Sequence, residues 1–279
     1  MCGRCIVVCG GYPPSSCSNF SKTGYLAPVT RAGFDRAVVV IPAHNEATRL
    51  PRCLTAVLAA ATAMPGRVLT VVVLDACTDR SADVAEGFGP GVQALSIDAH
   101  NVGAARAAGF NRARTVWPDA NLARTWYATT DADSRVDPDW LVRQMVADAD
   151  MVLGVVRVAA WRHVPTWVAG RYLHRYRSKS GSDRAGHNHV HCANMGFLAE
   201  KYWKVGGFAA LPSGEDVDLV EQSGFHIRRD ASLSVVTSAR HDGRANGFAA
   251  PKIDRSGIPA ARGLRNLMAN LHRSTDGLC

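Results

Sequence analysis

"RAVVVIPAHNEATRLPRCLTAVLAAA", residues 36–61, carries one strand and one helix in a single run. Ala37 to Ile41 form an unbroken apolar stretch, mostly β-branched, which is the pattern of a strand buried on both faces of a sheet. Pro42 is expected to stop it, because proline cannot donate to a ladder. Beyond the loop, Leu50, Leu54, Val57, Leu58 and Ala61 recur at helical spacing, so residues 46–62 are read as a helix packing back on the sheet. A doubly buried strand followed at once by an amphipathic helix is the repeating unit of a parallel α/β fold.

The unit recurs downstream. "VLTVVVLD" (68–75) reads as a second buried strand ending in Asp75, followed by a polar turn and a short helix from about Arg80. "VQALSID" (92–98) offers a third strand, and "NVGAARAAGFNRARTVW" (101–117) a helix whose amino end lies near Val102. "TWYATTD" (125–131) gives a fourth strand, a helix starting at Pro138 is expected to reach about Asp148, and "ADMVLGVVRV" (149–158) a fifth strand. Right-handed crossovers then make a mostly parallel sheet, whose ligands bind at the carboxyl ends of the strands. The polar residues after Ile41, Leu74 and Thr130 should converge on one crevice. Residues 159–190 mix aromatics, Arg and His with little pattern. "SLSVVTSARHDGR" (232–244) is strand-like, and 256–273 could form a basic helix.

Composition sets bounds on what this fold can do. A chain of 279 residues with 47% hydrophobic and 20% charged residues is ordinary for a globular protein, and no apolar run approaches the ~20 residues that span a bilayer. A net charge of +8 favours anionic partners, among them nucleotides, phosphorylated substrates or an acidic membrane face. Lys and Arg are scattered, without the aromatic interleaving of a single-strand binder, so no nucleic-acid partner is expected. The eight cysteines do not form the even framework of a small secreted domain, and a cytoplasmic location is the default. Cys2, Cys5 and Cys9 have ligand-like spacing, but the Gly/Pro/Ser-rich leader reads as a disordered tail over residues 1–35.

Several clusters carry chemistry. Asp131 and Asp133, in "TTDADSRVDPDWL" (129–141), are two apart, a spacing that in extended backbone aims both side chains the same way. Two carboxylates in one small volume repel unless a proton or cation lies between them, and Mg²⁺ or Mn²⁺ with a diphosphate as co-ligand suits that arrangement. The bland alternative is a solvated turn. Asp75 could accept from a base or a ribose, or cap the segment that follows. Gly103 at a helix start and Arg106 one turn in could approach an anion. Without a G-x-G-x-x-G run, a dinucleotide dehydrogenase is disfavoured. Glu215, Asp216 and Asp218 gather at a helix amino terminus in "SGEDVDL", more acid than a cap needs, and one could serve as a general base. In "HNHVHC", His187, His189 and His191 alternate; zinc would fit such spacing, but contact with substrate is the reading adopted. His241 is the stronger metal candidate.

Taken in order, "VVVIPAHNE", "VVVLDACTDRSA", "NVGAARAAG", "ATTDADSRVDPDWL", "NMGFLAEKYWKVGGF" and "GEDVDL" resemble the family 2 glycosyltransferases of GT-A fold. The resemblance covers about residues 37–245. It implies an α/β GT-A domain over 36–250, with a mostly parallel central sheet flanked by helices. A Rossmann-like nucleotide-sugar-binding half would span 36–135 and an irregular acceptor half 136–250, with a basic extension over 251–279. It implies that Pro42, Ala43, His44, Asn45 and Glu46 form the first nucleotide-contacting loop, that Asp75 holds the base, and that Asp131 and Asp133 hold ribose and metal-diphosphate. Asp216 matches the catalytic base, with Glu215 beside it. His241 would complete a metal site with Asp133, Arg240 and Arg244 would contact the diphosphate, and His187, His189, His191 and Asn194 would face the acceptor. The expected reaction moves a sugar from a UDP- or GDP-linked donor to a hydroxyl acceptor with inversion, assisted by Mg²⁺ or Mn²⁺. The turn "LDACTDRSA" stands where relatives carry Asp-Asp-Gly-Ser, and the lack of a Q-x-x-R-W stretch argues against a processive synthase. Two other readings remain open. One is a sugar-phosphate nucleotidyltransferase, although "PAHNEATRLPR" is a poor triphosphate loop. The other is a non-catalytic basic nucleotide- or nucleic-acid-binding module with an amino-terminal metal.

Overall fold

The computed structural model describes residues 33–158 and 189–238. The expected tail, the segment 159–188 and everything from 239 onward lie outside the described residues, so His187, Arg240, His241 and Arg244 do as well. The first half alternates strictly: β1 (Arg36–Ala43), α1 (Leu50–Thr62), β2 (Arg67–Asp75), α2 (Ser81–Glu86), β3 (Val92–Ile97), α3 (Val102–Val116) and β4 (Thr125–Thr129). The second half adds β5 (Ser134–Arg135), α4 (Trp140–Met145), β6 (Met151–Val158), β7 (Met195–Leu198), α5 (Ala199–Lys204), α6 (Glu215–Ser223) and β8 (Ile227–Thr237).

All eight strands form one sheet, in the order β3-β2-β1-β4-β7-β6-β8-β5. β1 lies parallel to both β2 and β4, β2 parallel to β3, and β6 parallel to β8. β7 runs antiparallel between β4 and β6, and β5 antiparallel beside β8. The unbroken apolar runs of β1 and β2 are explained by helices on both faces. Val39, Ile41, Val72 and Leu74 pack with Leu50, Leu54 and Val57 of α1. Their alternates Val38, Val40, Val71 and Val73 pack with Ala105, Phe110 and Ala113 of α3. The period of two therefore sorts one run of residues into two cores.

Pro42 does not end β1, contrary to the sequence expectation. The strand continues to Ala43, and Pro42 pairs in register with Val73. The pairing with β4 stops at Val40 opposite Thr129, so from Ile41 onward β1 has a neighbour on one side only. A proline is tolerated there because no second ladder asks for its N–H. α1 begins at Leu50 rather than 46, since residues 46–49 form a turn in which the Glu46 carbonyl accepts from the N–H groups of Arg49 and Leu50. Pro51 supplies a fitting φ for the first helical turn. α4 is shorter than expected: Asp148 has φ 42°, a left-handed backbone that cannot continue a helix.

The second core is dominated by aromatic rings. Phe110 stacks on Tyr127 at 4.6 Å between centroids, and Phe197 on Tyr202 at 5.1 Å. α3 comes this close to the sheet because Gly109 has no side chain where a Cβ would collide with Val40 and Val73. Gly109→Val should therefore overpack the interface, costing about 1–3 kcal/mol of stability, read as a lowered midpoint in urea unfolding with an unchanged slope.

Candidate active site at the carboxyl ends of the strands

Because β1, β2, β3 and β4 are parallel, their carboxyl ends open on one edge, and the loops leaving them are tied together there. The Asp75 carboxylate is nearly buried and accepts three backbone N–H groups from the loop after β3: Ala99 at 2.8 Å, His100 at 2.9 Å and Asn101 at 2.7 Å. Such bonding fixes the loop. Among the described residues, Oδ2 accepts the Asn101 N–H alone and has capacity for one more donor. The His44 ring donates through Nδ1 to the Asp75 carbonyl at 2.6 Å. The chain turns sharply after Asp75, with Ala76 at φ 50°, a conformation costing an alanine roughly 1–2 kcal/mol.

The first and second loops are laced in the same way. Asn45, itself at φ 54°, accepts from the N–H groups of Thr78 at 2.7 Å and Asp79 at 3.1 Å. Asp79 accepts from Ala47 N–H at 3.0 Å and from both the N–H and the hydroxyl of Ser81, while the Ser81 hydroxyl accepts the Glu46 N–H at 2.9 Å. Burial works to raise the Asp79 carboxyl, yet the Ser81 and Ala47 donors outweigh it and hold it below its ordinary value. Of the five residues expected in the first loop, Ala43 and Glu46 are buried, and Glu46 reaches Arg49 at 3.5 Å. His44 and Asn45, half-buried, lie just beyond the end of β1.

Asp131 and Asp133 do not alternate along a strand. Residues 131–134 make a tight turn, with Ser134 N–H donating to the Asp131 carbonyl at 2.9 Å, so the two side chains part. Asp131 accepts from Arg106 Nη2 at 2.7 Å. Asp133 accepts from the hydroxyls of Thr237 at 3.1 Å and Ser238 at 2.7 Å, at the end of β8. The turn is thus held from opposite sides, by α3 and by the last strand.

Arg106 is 3% exposed and is the hub of the site. Its Nε donates to the Thr129 hydroxyl at 3.3 Å, Nη2 to Asp131, and Nη1 to Glu215 in a short ion pair. Burial opposes its charge, while Cys192, Asp131, Glu215 and Asp216 around it favour the charged form, and it is held above its ordinary range. Burial lifts the Glu215 carboxyl; Arg106 opposes that lift, and Asp216 and Asp131 add to it. Asp216, the next residue, is half-buried and accepts the Val217 N–H at 2.9 Å. Burial also pushes the Cys192 thiol, beside this group, well up, so it stays neutral.

Two expected ligand contacts prove to serve the fold. Gly103 at the start of α3 does make room for a close backbone approach, but the backbone is that of residues 209–211, and its N–H donates to the Leu211 carbonyl at 3.1 Å. Asn194 does not face an acceptor. It is fully buried, its amide nitrogen donating to the carbonyls of Val155 at 3.0 Å and Leu233 at 2.9 Å while its oxygen accepts Trp140 Nε1–H at 2.9 Å. His189 is buried and stacks on the half-buried His191, with 5.6 Å between centroids. The alternation of these two holds, but on irregular chain rather than on a strand. Among the described residues, no group of three or more His, Cys, Asp or Glu is placed to hold a metal.

Sequence reading missed Asn101, whose side chain caps α3 by accepting Ala104 N–H at 2.9 Å and donates to the Ala210 carbonyl at 3.1 Å. An Asn directly before a helical run was the available signal. It missed Thr237 and Ser238 because nothing local links a serine to an acid about a hundred positions earlier.

A model of the family described as Glycosyl transferase family 2 matches residues 38–206. No curated protein matches. Among solved structures, S. aureus TarS 1–349 in complex with UDP-GlcNAc is similar at TM-score 0.56 and 13% identity, covering 87% of this chain and 73% of that one. TarS 1–349 in complex with UDP gives 0.55 and 13%, covering 74% and 61%; the longer S. aureus TarS gives 0.53, and this chain spans 37% of it. Identities this low speak for the fold: an α/β architecture of GT-A type. Since Asn194 belongs to the core, Asn194→Leu should strand the Trp140 Nε1–H and two carbonyls and cost about 3 kcal/mol or more, read as a fall in thermal midpoint.

Proposed function

We propose that this chain, which belongs to glycosyl transferase family 2, transfers a sugar from a nucleoside diphosphate sugar to a hydroxyl acceptor with inversion, assisted by Mg²⁺ or Mn²⁺. The observation that carries this reading is the convergence of three features on one edge: the Asp75-held loop, the Asp131–Asp133 turn and the acidic first turn of α6. In this reading the nucleoside lies against His44, Asn45 and the remaining acceptor capacity of Asp75. UDP-linked donors are the first to test, since the TarS structures of the same fold hold UDP and UDP-GlcNAc.

Asp133 fits a hard divalent cation. Its oxygens accept from the Thr237 and Ser238 hydroxyls, and Asp131 meets the Arg106 guanidinium. Mg²⁺ or Mn²⁺, held by Asp133 and by His241 from outside the described residues, would offset charge on the departing diphosphate. Arg240 and Arg244, also outside them, are the proposed diphosphate contacts. Asp216 is the proposed general base, taking the proton of the acceptor hydroxyl as its oxygen attacks the anomeric carbon from the face opposite the diphosphate. Glu215, spent on Arg106, is a poorer base than its neighbour. His191, with His187 and His189, is assigned to the acceptor side, where the loop would help exclude water that hydrolyses the donor. No helix among the described residues is long and apolar enough to cross a membrane. The chain is assigned to the cytoplasm, where sugar nucleotides are available.

A panel of UDP- and GDP-sugars screened by calorimetry with Mn²⁺ should yield one binder that the chain turns over. Asp216→Asn should lower turnover by about 10²–10⁴ with binding retained. If binding is lost instead, Asp216 is structural. Asp133→Asn, like EDTA, should abolish metal-dependent turnover, and its survival would remove Asp133 from the metal site.

A further inference from the structure

We infer that Arg106 is a positioning residue, not a donor contact: it fixes the register of α6, and hence of Asp216, against the Asp131–Asp133 turn. The inference rests on the glycosyltransferase reading above and adds a residue through which Asp216 acts.

The side chain is sealed at 3% exposure and donates to three protein acceptors from three elements: Thr129 at the end of β4, Asp131 in the turn, and Glu215 in the first turn of α6. A guanidinium spent in this way has no face to offer a diphosphate. α6 is short, and its other restraints are few. Its amino-terminal flanking residue is Gly214, at φ 82°, with no side-chain cap. Leu219 is its one buried apolar residue. The bond Asp216 makes to Val217 N–H lies within its own turn and places it relative to α6 only. The position of α6 relative to the sheet therefore comes from Leu219 and the partly buried Val220, the Arg106–Glu215 pair and the segment leading in.

That lead-in is also held by α3. Asn101 donates to the Ala210 carbonyl and Gly103 N–H to the Leu211 carbonyl, both at 3.1 Å. Three positions in the first two turns of α3 thus grip residues 210, 211 and 215 in succession. Arg106 is the last grip and the only one that also reaches Asp131. A planar, forked cation suits this task because one group can hold two carboxylates at a fixed angle. A misplacement of about 1 Å in a reacting geometry can cost roughly 10²-fold in rate, so a residue that never touches substrate can still control turnover.

The test uses the full chain and the panel sugar nucleotide that wild type turns over with Mn²⁺, UDP-GlcNAc being tried first, with water taking the sugar in place of the acceptor hydroxyl and release of nucleoside diphosphate as the readout. For Arg106→Met, kcat should fall by about 10²-fold while KM and the calorimetric Kd for the sugar nucleotide stay within about threefold. Arg106→Lys, which keeps the charge but not the fork, should restore about tenfold of kcat. A rise of tenfold or more in Kd with kcat little changed would make Arg106 a donor contact and overturn the inference. Should Arg106→Met not fold, as judged by a lost thermal transition, Glu215→Gln decides: a drop in kcat at constant Kd supports the clamp, and an unchanged kcat overturns it. If wild type binds and turns over no member of the panel, the glycosyltransferase reading itself fails and the inference falls with it. An inactive Arg106→Lys beside an active wild type sinks the inference alone.

Discussion

Everything at the site depends on β1 being hydrogen-bonded on both sides to strands that run its own way. Parallel pairing with β2 and β4 puts the ends of all three, and of β3 beyond, on one edge. Had one of them been reversed, its polar exit loop would open at the opposite end of the sheet. β7 enters antiparallel beside β4, and β6 and β8 beyond it return to the direction of β1. The candidate site lies at the exits of β1 and β4, where the strand order turns back, and the Asp131 turn that follows β4 is closed by the carboxyl end of β8. Ligands of open α/β sheets favour such switch points because two connections leave in different directions and do not fill the space between them.

Acidic residues at this edge divide by what they are bonded to. Asp75 and Asp79 are consumed largely by backbone N–H groups, and they hold loops that would otherwise expose unpaired donors. Glu215 and Asp131 are consumed by Arg106. Asp133 is oriented by hydroxyls, and Asp216 by its own helical turn.

Much of the fold was legible in the sequence, for a definite reason. β1, β2 and α3 carry patterns that admit one reading: runs buried on both faces, and a helix opening with Asn and small residues. The likeness to family 2 glycosyltransferases rested on these segments together with those around Asp131, Asn194 and Glu215, and the family match covers all but the end of this set, stopping at residue 206. Less legible were β7, four residues long, and β5, two residues long, because a strand that short has no measurable period. The Asp131–Asp133 pair was misjudged for a related reason. A spacing of two implies a shared direction only in extended chain, and "DADS" turns instead. Asn194 was assigned by its neighbourhood in "HCANMGF", but its partners come from β6, β8 and α4, more than thirty positions away in sequence.

Asn194 and Arg106 together show how this fold separates support from chemistry. Both are polar, buried and bonded to several protein partners, and each joins elements that sequence alone would not connect. Asn194 lies under the site, where Gly154 leaves room for its amide beside β6. Its carboxamide is neutral, so it can bridge β6, β8 and α4 without altering any nearby ionisation. Arg106 lies between the carboxylates and must be charged, since a neutral group there would leave Glu215 and Asp131 to repel each other and Asp216. A buried cation is tolerated only where acids surround it, and those acids can be kept close together only if the cation is there. The cluster that makes the edge chemically useful is therefore also the cluster that holds its parts in register, and neither property can be lost without the other.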